Sequence, residues 1–265
     1  MNSRLRNGSA GAGQALAVRP LSGLPVAVPV QEPGIRPGAP VQPESKRPGL
    51  KTGLRNNGIS RDMLYRIELD GACHIISEDY SYKSETYYSI LRAEMDGKKV
   101  KPSSATVLDA YVVPICLERA HLAGIPVCAW DISQGYAPLP SLVYGLNYFA
   151  SSADYAVIHD SGKGKEVIKH ITNKGKYPFC FQKLNEGAEV ATTVAIFGKT
   201  TDTGSCITDL ARQVYELFAI PLVTIVYVRY GSHCCLSSLS PTRYSRLSAA
   251  ERTLLAAYIS HQEFL

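Results

Sequence analysis

The residue types best suited to bind a small anion lie in one short turn, 80–84, with the sequence YSYKS. An apolar run ends at Ile76 before this turn, and a helical pattern begins directly after it. Backbone N–H groups at a helix N-terminus, together with the Lys83 ammonium, could meet a carboxylate or a phosphate. Alternatively, the tyrosines pack beneath the helix. The candidate ligand-binding residues of this turn are Tyr80, Tyr82, Lys83 and Ser84.

The elements around the turn form a strand–helix–strand unit. An extended run, 74–76, precedes the turn, a helix capped by Ser84 extends to Gly97, and 98–102 is extended again. A unit of this size normally connects two parallel strands. The helix is predicted to bury one apolar face, made of Tyr87, Tyr88, Leu91 and Met95.

Two further candidates follow predicted strands directly. Asp131 follows 125–130 (IPVCAW), an apolar run typical of a strand that is covered on both faces, and Lys199 follows the β-branched run 190–197. Ligands of parallel sheets bind at the carboxyl ends of the strands, so both residues are site candidates. Alternatively, Asp131 caps the next turn. Neither Lys199 nor the segment 163–165 (KGK) belongs to a Walker loop, because the upstream glycine is missing.

The rest of the chain continues the α/β pattern. The segment 134–153 is rich in aromatic residues and is predicted to be a long loop that acts as a lid or as an interface. Gly231-Ser232 is predicted to join two strands as a hairpin, and Ser248 with Glu251 is predicted to cap the last helix. We therefore expect an α/β fold with a mixed, largely parallel sheet flanked by helices, followed by a C-terminal hairpin and helix.

Residues 1–62 have a different composition from the rest. They contain half of the chain's 16 prolines, lack aromatic residues and carry a net charge of +6, whereas the remainder has −1. Such a segment cannot bury enough apolar surface to fold. We expect a disordered tail over 1–62 and one α/β domain over 63–265; a start-site extension or a targeting peptide are the alternatives for the tail. Nucleic-acid binding would rest on this basic tail alone, so no nucleic-acid partner is expected.

Composition also bears on membrane partners, on the state of the cysteines and on metal sites. No apolar run approaches the ~20 residues that span a membrane, so no membrane partner is expected. Seven cysteines without a CxxC pair favour free, buried thiols and a cytoplasmic protein. The cluster His233-Cys234-Cys235 could belong to a metal site, but packing explains it more simply, and no metal site is predicted.

Two segments of the chain resemble the RimK-like ATP-grasp N-terminal domain family. They are SYKSETYYSILRAEMDGKKVKPSSATVLD, which ends at Asp109, and AIFGKTTD at 195–202, which is followed by the helix sequence LARQVYELF. The resemblance spans 63–265. In that family this domain precedes an ATP-grasp module, which joins a carboxylate to an amine through an acyl phosphate.

The resemblance implies a non-catalytic substrate-recognition or docking domain that works with an ATP-grasp carboxylate–amine ligase. Its partners would be that ligase module and a small-molecule or peptide carboxylate. ATP and Mg²⁺ would bind only to the absent or separate module, which leaves no cofactor and no catalytic residue in this chain. The alternative is a stand-alone small-molecule α/β enzyme or ligand-binding protein that uses the candidate residues named above.

Overall fold

The structure of the protein is a computed structural model that describes residues 64–260. The predicted tail, 1–62, lies outside these residues, as does the end of the last predicted helix. The strands are β1 (Tyr65–Leu69), β2 (Ala72–Ile76), β3 (Val100–Lys101), β4 (Trp130–Ser133), β5 (Ser141–Gly145), β6 (Tyr155–Ile158), β7 (Phe179–Lys183), β8 (Glu189–Ile196), β9 (Leu222–Tyr230) and β10 (His233–Ser240). The helices are α1 (Glu85–Met95), α2 (Ser104–Tyr111), α3 (Val113–Leu122), α4 (Ser161–Ile171), α5 (Ser205–Phe218) and α6 (Ala249–Ile259).

These strands form three sheets, with the orders β1-β2-β3, β10-β9-β8 and β4-β7-β5-β6. Among the named strands only β2 and β3 pair in parallel, and every other pair is antiparallel. The α/β class is confirmed, but the expectation of a largely parallel sheet is not. Apolar runs of this length occur in buried antiparallel strands as well, so the pattern could not distinguish the two arrangements.

The strand–helix–strand unit around the 80–84 turn is confirmed. Strand β2 pairs in parallel with β3, and the helix α1 between them begins at the cap Ser84, whose side chain accepts a hydrogen bond from the Tyr87 backbone N–H at 3.3 Å. The buried face of α1 differs from the prediction. It consists of Thr86 and Ile90, whereas Tyr88 is 58% exposed.

The segment before β4 is less regular than predicted. No strand forms over 125–129; Val127 makes an isolated bridge with Leu236, and the strand starts at Trp130. The predicted long loop 134–153 is interrupted by β5, which contains Tyr144; Tyr136 precedes this strand, and Tyr148 and Phe149 lie in the connection between β5 and β6. Pro114 lies in the first turn of α3, as expected for a residue without a backbone N–H.

The second sheet carries the main core. Helices α1, α2, α3 and α5 bury their apolar residues with it, in a cluster that includes Ile90, Val107, Cys116, Leu210 and Ile225. The predicted hairpin is confirmed, because Tyr230 pairs with His233 across Gly231-Ser232. The capping box of Ser248 and Glu251 on α6 is confirmed as well. No helix within 64–260 is long and apolar enough to cross a membrane.

Two of the cysteines depart from the prediction of free thiols. Cys206 of α5 and Cys234 of β10 form a disulfide, with 5.8 Å between their Cα atoms. The other five are free, and three of these are buried. The disulfide ties α5 to the face of the second sheet on which it packs.

Candidate functional site

A cavity of about 450 Å³ opens between three segments of the chain. They are the turn that begins at Asp79, helix α2 with the first residues of α3, and the end of β5 with the loop that follows it. We call this cavity the Tyr82–Tyr148 pocket, after the two rings at its opening. Its volume falls in the range of small-molecule sites, and its wall is mostly apolar with a few polar groups, as such sites are.

The turn is held in place by its own hydrogen bonds. The Asp79 carboxylate accepts hydrogen bonds from the Ser81 N–H at 2.7 Å and from the Ser81 hydroxyl at 3.1 Å. The Ser81 carbonyl accepts from the Ser84 N–H and from the Ser84 hydroxyl, both at 2.8 Å. This rigid turn presents Tyr82 and Lys83 to the pocket, while Ser84 serves as the cap of α1 and does not line it.

A cation and two aromatic rings meet at the opening of the pocket. The Lys83 Nζ lies 3.8 Å from the centroid of the Tyr148 ring and 5.5 Å from that of Tyr82, and it donates a hydrogen bond to the Tyr148 carbonyl. The two rings are 6.3 Å apart and nearly edge to face. Both are unusually open for tyrosines, with 41% of Tyr82 and 61% of Tyr148 exposed. The aromatic loop predicted to be a lid thus meets the predicted binding turn.

The loop that carries Tyr148 is anchored at both ends. The side-chain Oδ1 of Asn147 accepts hydrogen bonds from the backbone N–H groups of Phe149 at 2.8 Å and Ala150 at 2.9 Å, and its side-chain Nδ2 donates to the Ile171 carbonyl at 2.7 Å. At the other end, the Ser238 hydroxyl of β10 donates to the Ser152 carbonyl at 3.1 Å. These bonds hold the Tyr148 ring beside Lys83 at the tip of the loop.

Tyr111, the last residue of α2, adds a polar group to the wall of the pocket. Its hydroxyl is buried and has no hydrogen-bond partner among residues 64–260. Burial raises the pKa of Tyr111 well above its ordinary value, and the nearby Tyr80, Asp79 and Cys116 act in the same direction. The hydroxyl therefore stays protonated at neutral pH and can donate a hydrogen bond.

Tyr80, the first residue of the turn, is fully buried. Its hydroxyl accepts from the Ser77 N–H at 3.0 Å and donates to the Ile75 carbonyl at 3.1 Å, so both roles of the hydroxyl are filled within the protein. Burial raises its pKa. Its contacts are those of a packing residue, the alternative that the sequence left open for these tyrosines.

Neither Asp131 nor Lys199 lines the pocket, and β4, which contains Asp131, belongs to a different sheet from β8, which precedes Lys199. Asp131 is exposed on β4, and its carboxylate accepts a hydrogen bond from the next backbone N–H, that of Ile132, at 2.7 Å. Lys199 follows β8, with its Nζ 5.2 Å from the centroid of the Tyr258 ring. The rule that suggested both residues applies to parallel sheets, whereas β4 and β8 belong to antiparallel ones.

Two residues that line the pocket, Tyr111 and Asn147, are not among the binding candidates predicted from the sequence. Tyr111 ends a short helix, where a tyrosine most often packs, and nothing in the pattern marks its hydroxyl as unpartnered. Asn147 belongs to the aromatic loop, whose composition was the one available signal. Within the described part of the chain, no group of three or more His, Cys, Asp or Glu side chains could hold a metal ion.

A scan against protein-family models finds no match, and a comparison with curated proteins finds none either. Solved structures do match. A crystal structure of a RimK domain protein ATP-grasp from Sphaerobacter thermophilus DSM 20745 is 14% identical with a TM-score of 0.50, over 67% of this chain and 77% of that one. The chain has an ATP-grasp fold. The ATP-grasp ligase PsnB, solved with Mg and ADP, gives a TM-score of 0.48 at 14% identity, over 66% of this chain and 65% of that one.

The fold likeness corrects three expectations. The chain was expected to lack the ATP-grasp module, but the structure that it resembles is an ATP-grasp protein, and the match covers 67% of this chain. The assignment as a non-catalytic docking domain is therefore wrong, and so is the assignment of ATP only to an absent or separate module. The sequence could not decide this, because two short segments carried the whole resemblance.

Proposed function

We propose that this protein acts without a ligase partner, as a small-molecule enzyme or binding protein of the ATP-grasp fold, and that the Tyr82–Tyr148 pocket binds an adenine nucleotide. The observation that carries the proposal is the group of two exposed tyrosine rings with Lys83 between them at the opening of a 450 Å³ cavity. Exposed apolar surface that borders a groove or cavity is a common feature of ligand-binding sites.

The two parts of a nucleotide match the two parts of this group. A base offers a flat face that stacks on an aromatic side chain, with about 1–3 kcal/mol per stacked base. A phosphate accepts the charge-assisted hydrogen bonds that an ammonium donates. Tyr82 and Tyr148 would stack against the base, and the Lys83 Nζ would turn from the Tyr148 carbonyl to the phosphate. The ATP-grasp fold makes ADP and ATP the first nucleotides to test.

The experiment is calorimetric titration of the full chain with ADP and ATP, alongside Tyr148→Ala and the control Tyr136→Ala. Tyr136 is 72% exposed and lies outside the pocket, so its truncation removes a comparable ring without touching the site. We expect wild type and Tyr136→Ala to bind alike and Tyr148→Ala to bind at least tenfold more weakly, since one stacked ring is lost. Absence of binding to wild type, or equal binding by all three proteins, would refute the proposal.

A second candidate, ATP-dependent joining of a carboxylate to an amine, is favoured by the likeness to a RimK domain ATP-grasp protein. In this case the chain would release ADP and phosphate only when a carboxylate and an amine are both present. A panel of amino acids and short peptides, with phosphate release as the readout, tests this activity separately from nucleotide binding. Binding without phosphate release would leave the first proposal standing and remove the second.

A further inference from the structure

A second concave surface, a groove of about 680 Å³, lies between strand β6 and helix α4. No residue lines both this groove and the Tyr82–Tyr148 pocket. One wall consists of 153–156, which includes the start of β6, and the other consists of Glu166, Val167, His170 and Ile171 of α4. We call it the β6–α4 groove.

The groove borders an unpaired edge of the third sheet. Strand β6 is the last strand of this sheet, and it pairs antiparallel with β5, from Tyr155 opposite Tyr144 to Ile158 opposite Ser141. In an antiparallel pair, every second residue directs its N–H and C=O away from the partner strand. Among residues 64–260, these outward groups of β6 form no hydrogen bond with another segment. A further strand can therefore pair with them.

The two edges of the third sheet differ in their protection against such pairing. Edge strands commonly carry charged residues or proline, which prevent another chain from adding to the sheet. At the opposite edge, β4 carries the exposed Asp131. Strand β6 has the sequence YAVI, with neither charge nor proline, and 36% of Val157 is exposed. Strand β6 is therefore the less protected of the two edges.

The side chains of the groove indicate the charge of its partner. The acids Asp154 and Glu166 line it and are exposed, with His170 beside them, whereas none of the three lysines of α4 lines it. Two copies of this chain that paired through β6 would bring the same acids together, and like charges across an interface repel. A strand with basic side chains would instead meet opposite charge.

The helix side of the groove also offers apolar contacts. Val167 and Ile171 belong to the cluster that packs α4 on the third sheet, together with Ala156 of β6. Because side chains of a strand alternate between faces, every second side chain of an added strand would face α4. A sequence with both basic and apolar residues at these alternate positions would fit the groove.

We propose that the β6–α4 groove binds an extended basic peptide segment of a partner protein, which adds to β6 as a further strand. Main-chain hydrogen bonds to the outward groups of β6 provide affinity in this binding mode, and the alternate side chains provide specificity. Glu166 and Asp154 would contact the basic side chains, and Val167 and Ile171 the apolar one.

The test uses the full chain and three fluorescein-labelled peptides with blocked ends, at low ionic strength. The basic peptide, Lys-Thr-Val-Thr-Lys-Thr, places both lysines and the valine on one face of a strand. The acidic peptide has glutamates in place of the lysines, and the third peptide is the basic one with every backbone nitrogen methylated. By fluorescence polarisation we expect only the first to bind well. Equal binding of the acidic or the methylated peptide would refute the proposed pairing.

A charge reversal in the groove tests the assignment of Glu166. Glu166→Lys should bind the basic peptide about fivefold more weakly and the acidic peptide more tightly than wild type does, since an attractive pair becomes a repulsive one. Glu118→Lys is the matched control, because Glu118 is an exposed helical glutamate of α3 outside the groove. Equal effects of the two variants would contradict the assignment.

Hydrogen exchange of the wild-type protein locates the added strand without any variant. With the basic peptide bound, we expect slower exchange of backbone N–H groups within β6 and no change within β4, because only the pairing edge gains hydrogen bonds. Protection of β4 alone would overturn the proposal. A dimer of the protein without peptide that Val157→Lys dissociates would also overturn it, because the edge would then belong to a second copy.

Discussion

Two turns of this protein present a lysine directly beside aromatic rings, and they differ in what surrounds the lysine. At the first turn, Lys83 lies between two exposed tyrosines at the opening of a cavity. At the second turn, Lys199 lies 5.2 Å from the ring of Tyr258, which itself stacks on Phe197 at 4.3 Å. The first group of rings is open to solvent, whereas the second is covered by α6, the helix to which Tyr258 belongs.

The second turn is built for close packing. Phe197 and Gly198 both have positive φ, and the Ile196 and Lys199 backbones hydrogen-bond to each other in both directions, at 2.8 and 2.9 Å. This is the two-residue hairpin geometry that glycine favours. The same pairing of residue types, a lysine with aromatic rings, therefore serves packing where a helix covers it and is available to a ligand where a cavity adjoins it.

The largest effect is expected from Gly198→Ala. A Cβ at this position would lie 2.9 Å from the Tyr215 Cβ, and φ is +76°, a conformation that alanine rarely adopts. The free energy of unfolding should fall by about 3 kcal/mol, as measured by urea denaturation. Gly135→Ala is the control, because its Cβ would enter open space without a positive φ. If both variants were equally stable, the second turn would not be the closely packed one.

The comparison predicts that substitution of Lys83 weakens nucleotide binding and that substitution of Lys199 leaves it unchanged. Lys83→Gln should weaken ADP binding roughly tenfold, because one charge-assisted hydrogen bond to phosphate is lost. Lys199→Gln should bind ADP like wild type, since Lys199 does not line the pocket. Calorimetric titration of both variants measures this difference. A larger loss for Lys199→Gln would move the site to the second turn.

Tyr111→Phe should raise the stability of the protein without ligand. It removes a buried hydroxyl that has no partner among residues 64–260, and leaving such a group unpaired costs about 1 kcal/mol or more. The expected gain in the free energy of unfolding is up to about 1 kcal/mol. Tyr88→Phe, at a residue 58% exposed, should change nothing. If Tyr111 donates to the bound nucleotide, Tyr111→Phe will also bind ADP more weakly despite its higher stability.

The smallest effect is a change with pH at His74, which packs beside Phe197 below the second turn. Burial, assisted by the charge of Lys101, lowers the pKa of His74 below its ordinary 6.5. The unfolded chain then binds this proton at a higher pH than the folded protein, so stability should fall as the pH drops below about 6.5. Denaturation between pH 7.5 and 5.5 should show a smaller fall for His74→Gln than for wild type and for His159→Gln, a variant at an exposed residue. Parallel curves for all three would contradict this.

The local elements followed from the sequence, because short-range chemistry specifies them. Ser84 at the start of α1, the Gly231-Ser232 hairpin and the capping box at Ser248 each form with neighbours within a few residues. The sheet arrangement did not follow, since an apolar run shows that a strand is buried but not which strand lies beside it. The exposed position of Tyr88 on α1 has the same origin, because the buried face depends on what the helix packs against.

The sequence by itself determined the turn at 80–84 as a structural unit: its residues, their place between β2 and α1, and the lysine they carry. Only the tertiary structure decided that Tyr148, 65 positions beyond Lys83, supplies the second ring, that Tyr80 is closed off in the core, and that the Tyr111 hydroxyl lacks a partner. The physical reason is that hydrogen bonds and capping act between neighbours in the chain. Cavities, burial and unpaired polar groups arise only when distant segments pack together.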